Sequence, residues 1–394
     1  TDRGERRGSG CNLGAYRRVS HMGRHVSKAP VLSPFQPVND HRTPSRTRHM
    51  PYATAYLAVF ALALAASLVG TPLARRLAHR FGVLDQPSNR KVHRAPTPLL
   101  GGLAVYAGFW GAVLLATRIE FAAPDVFLPA TTIEIAAIFL ATLPLVIVGF
   151  LDDKYKTHGL PPRAKLAAQF VSAGIVSVAG LDLHVFDSIW LDLPLTCLWI
   201  VGITNAINLL DNMDGLSAGA TAIAAVSFFA IAALNGQILV GSLAIALAGA
   251  CLGFLRYNFN PATVFMGDTG TLFMGFLLAT IGMKLKATGP AWWSFIVAVA
   301  VLALPIFDTS LVTLYRLWKG QAVSQGGKDH TSHRLVKLGL PQREAVLVLY
   351  GASAVAGTAA LAMARGGLDA GILYGLPVAV GALGAGLYLA RVDV

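Results

Sequence analysis

The chain has 394 residues, of which 55% are hydrophobic and only 13% are Asp, Glu, Lys or Arg, about half the charged fraction of an average soluble protein. This composition excludes an ordinary soluble globular protein, and the three cysteines form no spaced pair that would indicate a disulfide framework or a zinc site. The formal charge of +12 suggests nucleic-acid binding, but residues 1–49 carry +7 of it, so no nucleic-acid partner is expected.

Residues 1–49 are rich in Arg, Ser, Pro and Gly and contain no apolar run. Such a segment cannot bury enough surface to offset the entropy of folding, so it is predicted to be a disordered basic tail. The tail lacks the apolar core of a signal peptide, and Met50 stands directly before the first hydrophobic segment. We therefore hypothesise that native translation starts at Met50 and that residues 50–394 form a single membrane-embedded domain.

Hydrophobic segments of about 17 to 22 residues, long enough to cross a bilayer core, recur after Met50 with short connections. The sequence therefore predicts an all-α polytopic integral membrane protein with about eleven transmembrane helices. The predicted spans are 52–74, 100–117, 133–151, 165–181, 189–209, 216–234, 238–255, 270–286, 292–313, 344–364 and 371–390.

Positive charge is distributed unevenly between the two sets of loops. The loops after the odd-numbered spans, together with the C-terminal tetrapeptide, contain eighteen Lys and Arg, whereas the other loops contain four. By the positive-inside rule the first set, including the C-terminus, faces the cytoplasm. Every polar cluster in the sequence lies in that set. This placement favours chemistry in a cytoplasmic cleft over transport, which uses polar groups near the bilayer midplane.

The most informative polar stretch is Asn205–Leu216, which follows the apolar run 189–203. Its polar side chains recur every three residues, at Asn205, Asn208, Asp211 and Asp214. On a helix this spacing forms one slowly drifting stripe. Ionisable groups at membrane depth are costly and face the protein interior or water, so the stripe indicates a functional site. A polar helix cap is the plainer alternative.

Two acidic motifs lie at the ends of other spans. The adjacent carboxylates of Asp152 and Asp153 repel each other unless a cation lies near them, so one of them could accept a proton or help to position a metal. In the stretch 265–271 (FMGDTGT), Gly267 and Gly270 permit a tight turn around Asp268 and leave space for a phosphate or a metal. Because hard Mg²⁺ prefers carboxylate and phosphate oxygens, Asp268 is the first choice of metal ligand.

Two basic loops complete the set of motifs. The first, 90–97 (RKVHRAPT), offers cations and backbone amides that suit a polyphosphate. The second, 328–334 (KDHTSHR), places two histidines beside Arg and Lys. Mg²⁺ does not favour imidazole and no cysteine supports zinc, so these histidines are interpreted as donors to a diphosphate or a sugar. Each loop also fits positive-inside anchoring without a ligand.

In this order and against these spans, the motifs resemble the polyprenyl-phosphate N-acetylhexosamine-1-phosphate transferases, of the glycosyltransferase family 4 type. The resemblance covers essentially all of residues 52–343. It implies a multi-pass enzyme of the bacterial inner membrane that transfers an N-acetylhexosamine-1-phosphate from a UDP-sugar to polyprenyl (undecaprenyl) phosphate and releases UMP. Such a reaction is the first membrane step of cell-envelope glycans such as lipopolysaccharide or cell-wall polymers. The implied cofactor is Mg²⁺, with Mn²⁺ as a substitute.

The resemblance also implies roles for individual residues. Asp152 and Asp153 match the pair that deprotonates or positions the lipid phosphate, and Asp268, with Asp211, is expected to bind the metal. Asp211 and Asp214 match catalytic positions at the diphosphate end of the cleft. The residues assigned to substrate binding, by motif match or by charge, are Asn205, Asn208, Asn258, Phe265, Lys91, His93, Thr97, His330, His333 and Arg334.

Two departures from the family pattern bear on the substrate. Asn212 stands where many relatives have glycine, and the loop 330–333 reads HTSH rather than a run of adjacent histidines. The second departure favours N-acetylglucosamine over the muramoyl-pentapeptide donor of peptidoglycan synthesis, which stays the alternative. A membrane transporter with an acidic relay and a non-catalytic membrane scaffold are the alternatives from other classes. Small residues in 381–386 would permit close helix packing, within the protomer or in a homodimer.

Overall fold

The structure is a computed structural model that describes residues 49–87, 96–118, 129–155, 159–322 and 327–392. Residues 1–48 of the predicted tail and residues 90–95 of the first basic loop lie outside these residues. The described helices are α1 (His49–Phe81), α2 (Gly101–Arg118), α3 (Pro129–Lys154), α4 (Pro162–Val178), α5 (Ile189–Leu210), α6 (Leu216–Leu234), α7 (Ile238–Asn258), α8 (Gly267–Lys284), α9 (Ala291–Val301), α10 (Ala303–Trp318), α11 (Thr331–Lys337), α12 (Gln342–Ala370) and α13 (Leu376–Leu389). A π-helical turn, Gly371–Gly375, joins α12 to α13, and two short antiparallel strands, β1 (Leu84–Asp85) and β2 (Thr97–Pro98), pair between α1 and α2.

The predicted all-α membrane fold is confirmed, but the predicted number of spans is not. Each of the eleven predicted segments falls on helical residues. Within the described part of the chain, however, only six helices are long and apolar enough to cross a membrane, or seven if α9 and α10, bent by 74° at their junction, form one span. The helix α4 has only 17 residues, and α8 opens with the polar residues of the Asp268 motif. The count of about eleven spans therefore stays a prediction.

The helix α8 lies at the centre of the bundle. Fifteen of its 18 residues are buried, and it packs against α2, α3, α5 and α6. Glycine permits one of these contacts, because a Cβ atom on Gly275 would lie 2.7 Å from the Cα of Thr204 on α5. The indole of Trp199 on α5 also donates to the carbonyl of Ala279 at 3.0 Å. The N-terminus of α8 is consequently fixed by its neighbours.

The segment that enters α2 runs directly alongside the start of α8. The amide of Phe265 donates to the carbonyl of Pro98 at 2.8 Å, and the amide of Gly102 donates to the carbonyl of Met266 at 2.8 Å. A Cβ atom on Gly102 would lie only 2.2 Å from the backbone nitrogen of Gly270. Gly102 and Gly270 are therefore needed because the backbones of α2 and α8 approach each other closely at these two residues.

This packing predicts a specific effect of Gly102→Ala. Because the atoms that the new methyl group would meet are backbone atoms, they cannot move aside cheaply, and we expect a loss of about 1–3 kcal/mol in the free energy of unfolding. Gly111 lies on the same helix with no atom within 4 Å of its would-be Cβ. Gly111→Ala should be neutral or stabilising by up to about 1 kcal/mol. Thermal unfolding of the detergent-purified variants measures both, and equal melting temperatures would contradict the prediction.

Candidate active site

The carboxylate of Asp153 binds the first turn of α8. It accepts hydrogen bonds from the amides of Asp268 at 2.9 Å and Thr269 at 3.0 Å, and from the hydroxyl of Thr269 at 2.8 Å. A carboxylate in this position satisfies amides that the helix leaves unpaired and is favoured by the helix dipole. Asp153 is 1% exposed. Its position is therefore suited to orienting the Asp268 backbone, and its assignment to the lipid phosphate stays a prediction.

Gly267 has the conformation that the sequence predicts, but for a different reason. Its φ angle is +71°, which only glycine adopts readily. A Cβ atom there would lie 2.5 Å from a carboxylate oxygen of Asp153, and one on Gly270 would lie 2.5 Å from the Cα of Gly102. The space that was expected to admit a phosphate or a metal is filled by protein atoms, so this expectation is corrected.

A lysine lies between two of the predicted carboxylates. The ammonium of Lys165, on α4, donates to Oδ2 of Asp152 at 2.9 Å and to Oδ2 of Asp268. The other oxygen of Asp152 accepts the amide of Leu160 at 2.7 Å. One cation therefore reduces the repulsion between the two carboxylates and holds them in one cluster. Sequence reasoning treated Lys165 only as a loop charge, although it opens the span that follows the Asp152–Asp153 pair.

The four residues of the predicted polar stripe do not all lie on one helix, because α5 ends at Leu210. Only Asn205 and Asn208 lie within α5. Asn208 reaches the site, where its amide donates to Oδ1 of Asp268 at 3.1 Å and to the Thr271 hydroxyl at 2.8 Å. Asn205 faces Gln169 instead, and the two side-chain amides exchange hydrogen bonds of 2.7 and 3.2 Å. Asp211 and Asp214 lie in the turn after α5, so the geometry of the turn sets their directions and the helical spacing does not.

The carboxylates of this turn are held by neighbouring chain segments. Ser217 donates to Asp211 at 2.5 Å. Asp214 accepts from the side chain of Asn260 at 3.1 Å and from the amide of Ala262 at 3.0 Å. These contacts tie the turn to the segment that leads into α8.

Asn258 makes a second connection to the same turn. Its side chain accepts from the amide of Gly215 at 3.1 Å and donates to the carbonyl of Val264 at 3.0 Å. It is 3% exposed, so its position fixes the backbone before α8. Its assignment to substrate binding stays a prediction.

The histidine loop is anchored by an aspartate that sequence reasoning missed. Asp308, on α10, lies 2.8 Å from Nδ1 of His330 and accepts the amide of Thr331 at 2.7 Å. The hydroxyl of Ser332 donates to Asn212 at 2.5 Å, which joins the loop to the turn after α5. A buried acid within a helical span is the signal that could have found Asp308, since such a residue needs a partner.

Two groups in the histidine loop have shifted pKa values. Burial, together with the charges of His330 and Lys328, lowers the pKa of His333, which favours its neutral form. Burial alone would raise the pKa of Asp329, but the hydrogen bonds from Arg316, at 2.6 and 2.7 Å, outweigh it and keep this pKa below its ordinary value. Asp329 is therefore an ionised anchor of the loop.

Arg334 contacts the C-terminal segment of the described chain. Its guanidinium lies 4.3 Å from the centre of the Tyr315 ring and donates to the carbonyls of Leu389 and Val392, each at 2.7 Å. The side chain is fully buried, so the packing gives it an anchoring role toward the C-terminal segment. Its assignment to substrate binding stays a prediction.

The remaining predicted residues lie near the start of α2 or outside the described residues. Thr97 is buried in β2, opposite Asp85. Phe265 is half-buried and packs against the apolar cluster that includes Leu99 and Leu100. Lys91 and His93 lie outside the described residues.

The cluster around Asp268 fits a hard metal ion in the type of its donor atoms. It offers carboxylate oxygens of Asp152 and Asp268 and the hydroxyl of Thr271, which are the ligands that Mg²⁺ prefers. Among the residues that the structure describes, no group of three or more His, Cys, Asp or Glu side chains is placed to hold a metal by itself. A metal ion held here would need further ligands, such as water or substrate phosphates.

Together, the helical membrane fold and the carboxylates gathered at helix ends define a membrane protein with an enzyme-like polar site. The family model for glycosyl transferase family 4 matches residues 135–286, which include Asp152, Lys165 and Asp268. A curated protein of Bacillus subtilis (strain 168), named probable undecaprenyl-phosphate N-acetylglucosaminyl 1-phosphate transferase, is 37% identical over 300 residues, or 74% of this chain and 80% of the relative. The chain therefore belongs to glycosyl transferase family 4.

Other relatives bear on the branch of the family. The decaprenyl-phosphate N-acetylglucosaminephosphotransferase of Mycobacterium tuberculosis (strain ATCC 25618 / H37Rv) is 34% identical over 70% of this chain and 74% of its own length. The phospho-N-acetylmuramoyl-pentapeptide-transferase of Bacillus cytotoxicus is 33% identical over 58% of this chain and 73% of its own length. The N-acetylglucosamine enzymes thus match more of the chain, as the spacing of the loop histidines predicts.

The anchoring of the histidine loop can be tested with Asp308→Asn. An amide keeps one acceptor oxygen but loses the charge that His330 and Thr331 share, and we expect a loss of about 1.5–3 kcal/mol in the free energy of unfolding. We also expect faster hydrogen exchange across α11. The hydroxyl of the adjacent Thr309 is buried without a hydrogen-bond partner, so Thr309→Val is a matched control that should leave both measurements unchanged. Unchanged exchange in Asp308→Asn would refute the anchoring role.

Proposed function

We propose that the protein transfers N-acetylglucosamine-1-phosphate from UDP-N-acetylglucosamine to a polyprenyl phosphate, most simply undecaprenyl phosphate, and releases UMP. The observation that carries the proposal is the cluster at the start of α8, in which Lys165 contacts both Asp152 and Asp268. The names of the relatives that match most of the chain support the donor sugar and the lipid acceptor. The muramoyl-pentapeptide donor is the alternative substrate.

The chemistry requires positioning and charge stabilisation more than covalent catalysis. An oxygen of the lipid phosphate attacks the β-phosphorus that carries the sugar, and a new phosphorus–oxygen bond forms. The bond between the β-phosphorus and the oxygen that bridges it to the α-phosphorus breaks, and UMP leaves with that oxygen and the electrons of the bond. Asp152 and Lys165 would orient the incoming phosphate. A phosphate monoester is already largely dianionic at pH 7, with a second pKa of about 6, so Asp152 acts mainly by position.

A divalent cation has a defined place in this proposal. Asp268 would hold Mg²⁺ together with oxygens of the substrate diphosphate, with Asp211 as a second candidate ligand. When bound, Mg²⁺ supplies charge neutralisation to the diphosphate. Asn208, which donates to Asp268 at 3.1 Å, keeps that carboxylate oriented, and Asp153 fixes the backbone that carries it.

The proposal includes an orientation in the membrane. The eighteen Lys and Arg on one set of loops, against four on the other, support a cytoplasmic site in the bacterial inner membrane. The shorter helices α2, α4 and α8 would complete a set of about eleven membrane-embedded segments around the cleft. UDP-sugars are cytoplasmic metabolites, so this orientation gives the donor access to the cluster.

The first test measures UMP release by the purified, detergent-solubilised protein given undecaprenyl phosphate and UDP-N-acetylglucosamine, with and without Mg²⁺. We expect release that needs both the lipid and the metal, and a loss of at least about 100-fold in Asp268→Asn, because one preorganised charge at the transition state is removed. Asp187→Asn, on an exposed loop after α4, is the matched control and should keep full activity. Lack of release with every UDP-sugar by folded protein would refute the proposal.

A second test separates the role of Lys165 from that of the metal. Lys165→Gln removes the cation between two carboxylates, so we expect kcat to fall about 10- to 100-fold. The Mg²⁺ concentration for half-maximal activity should also fall, since the cluster becomes more negative. Lys319→Gln, on an exposed position, is the control. A rise in the Mg²⁺ requirement would show that Lys165 supports metal binding instead of competing with it.

A further inference from the structure

The two ends of α8 carry different polar groups. Asp268 lies in its first turn and Lys284 in its last. At 1.5 Å per residue these positions are about 24 Å apart, close to the thickness of a bilayer core of about 30 Å. With α8 embedded in the bilayer as proposed above, the surroundings of Lys284 would lie at the opposite membrane face from the candidate active site.

A cavity of about 200 Å³, lined by both polar and apolar groups, opens at that end of α8. We call it the Asp182 cavity, after the acidic residue in its wall. It is lined by the loop 180–185 after α4, by residues 282–286 at the end of α8, and by Ala291, Ser294 and Phe295 of α9.

Hydrogen bonds fix both walls of the Asp182 cavity. In the first wall, the amide of Leu183 donates to the hydroxyl of Thr196 at 2.9 Å, and the amide of Val185 donates to Asp192 at 3.0 Å. In the second wall, Gln237 exchanges hydrogen bonds of 2.6 and 2.9 Å with the backbone of Lys286. The cavity is consequently preformed, as small-molecule and headgroup sites usually are.

The Asp182 cavity contains an unsatisfied acceptor. Oδ1 of Asp182 is buried and has no hydrogen-bond partner, a state that costs about 1–3 kcal/mol when nothing binds there. Of the two lysines in the wall, Lys284 is paired with Glu134 at 2.9 Å. The other, Lys286, is exposed and has no ion-pair partner among the residues that the structure describes. The cavity thus offers one carboxylate for a donor group and, beside the exposed His184 in its lining, one ammonium for an anion.

Aromatic residues place the cavity at the level of lipid headgroups. Trp190 begins the helix that follows the first wall and is 85% exposed, and Trp292 begins α9 and is 45% exposed. Tryptophan is enriched at membrane–water interfaces, where its ring spans the polar and apolar layers. A molecule in the cavity would therefore be in reach of the lipid headgroups of that face.

We propose that the Asp182 cavity binds the headgroup of a primary-amine phospholipid, of the phosphoethanolamine type. The ammonium of the lipid would pair with the carboxylate of Asp182, and its phosphate would lie against Lys286. Each charged group of such a headgroup would therefore lie beside a side chain of opposite charge. A headgroup with an anion alone would leave Asp182 unsatisfied. The proposal does not depend on the transferase reaction, because the cavity lies at the other end of α8.

The test measures lipid retention by native mass spectrometry of the full chain, purified from mixed micelles that contain equal amounts of three phospholipids. We expect phosphatidylethanolamine to be retained about 10-fold more than phosphatidylcholine, which has the same charges but no N–H donor, and more than phosphatidylglycerol, which has no cation. Asp182→Asn and Lys286→Gln should each abolish this preference. Asp187→Asn, a neighbour with the same change of charge that does not line the cavity, should keep it.

Three results would overturn the proposal. The first is equal retention of phosphatidylethanolamine and phosphatidylcholine by the native chain. The second is an unchanged preference in Asp182→Asn, whose folding is checked by thermal unfolding. The third is heat stabilisation by soluble phosphoethanolamine in lipid-free detergent that matches the effect of the lipid, which would identify a free metabolite as the occupant.

Discussion

The interaction on which the site depends is the capping of α8 by Asp153. This carboxylate belongs to the end of α3, yet it satisfies the amides at the start of α8, and so it joins two helices that are far apart in sequence. One of these amides belongs to Asp268 itself. The cap therefore fixes the backbone from which the Asp268 side chain extends. The close approach of α2 at Gly102 and Gly270 then closes the structure around this turn.

A membrane protein gathers carboxylates only when their charge is compensated. Lys165 does so for Asp152 and Asp268, Arg316 does so for Asp329, and Asp308 is satisfied by His330 and a backbone amide. Removing one partner from such a buried set is costly, since the other is left charged and unpaired. The low-polarity surroundings make an unpaired charge costly, and so they keep the polar residues of the site in contact with their partners.

The sequence predicted the helical membrane fold, the acidic motif at Asp268 and the family, because these depend on local pattern: apolar runs, helix-end polarity and motif order. It did not predict Lys165 or Asp308 as members of the site, since both act through contacts with residues distant in sequence. Asp153 and Asn258 were identified as important, but the hydrogen bonds described above join them to other groups of the protein, which no motif distinguishes from contacts to a ligand. The number of spans is not fixed by the sequence, because the predicted apolar segments include short helices and helices with polar ends.

The contact of Arg334 with the C-terminal segment has an evolutionary consequence. The guanidinium binds the main-chain carbonyls of Leu389 and Val392, so these two hydrogen bonds constrain the path of the backbone without depending on the side chains at positions 389 and 392. The amino acids at these two positions can then diverge between homologues while both hydrogen bonds are kept. Selection against change should fall on position 334 itself and on the aromatic ring of Tyr315 beneath it.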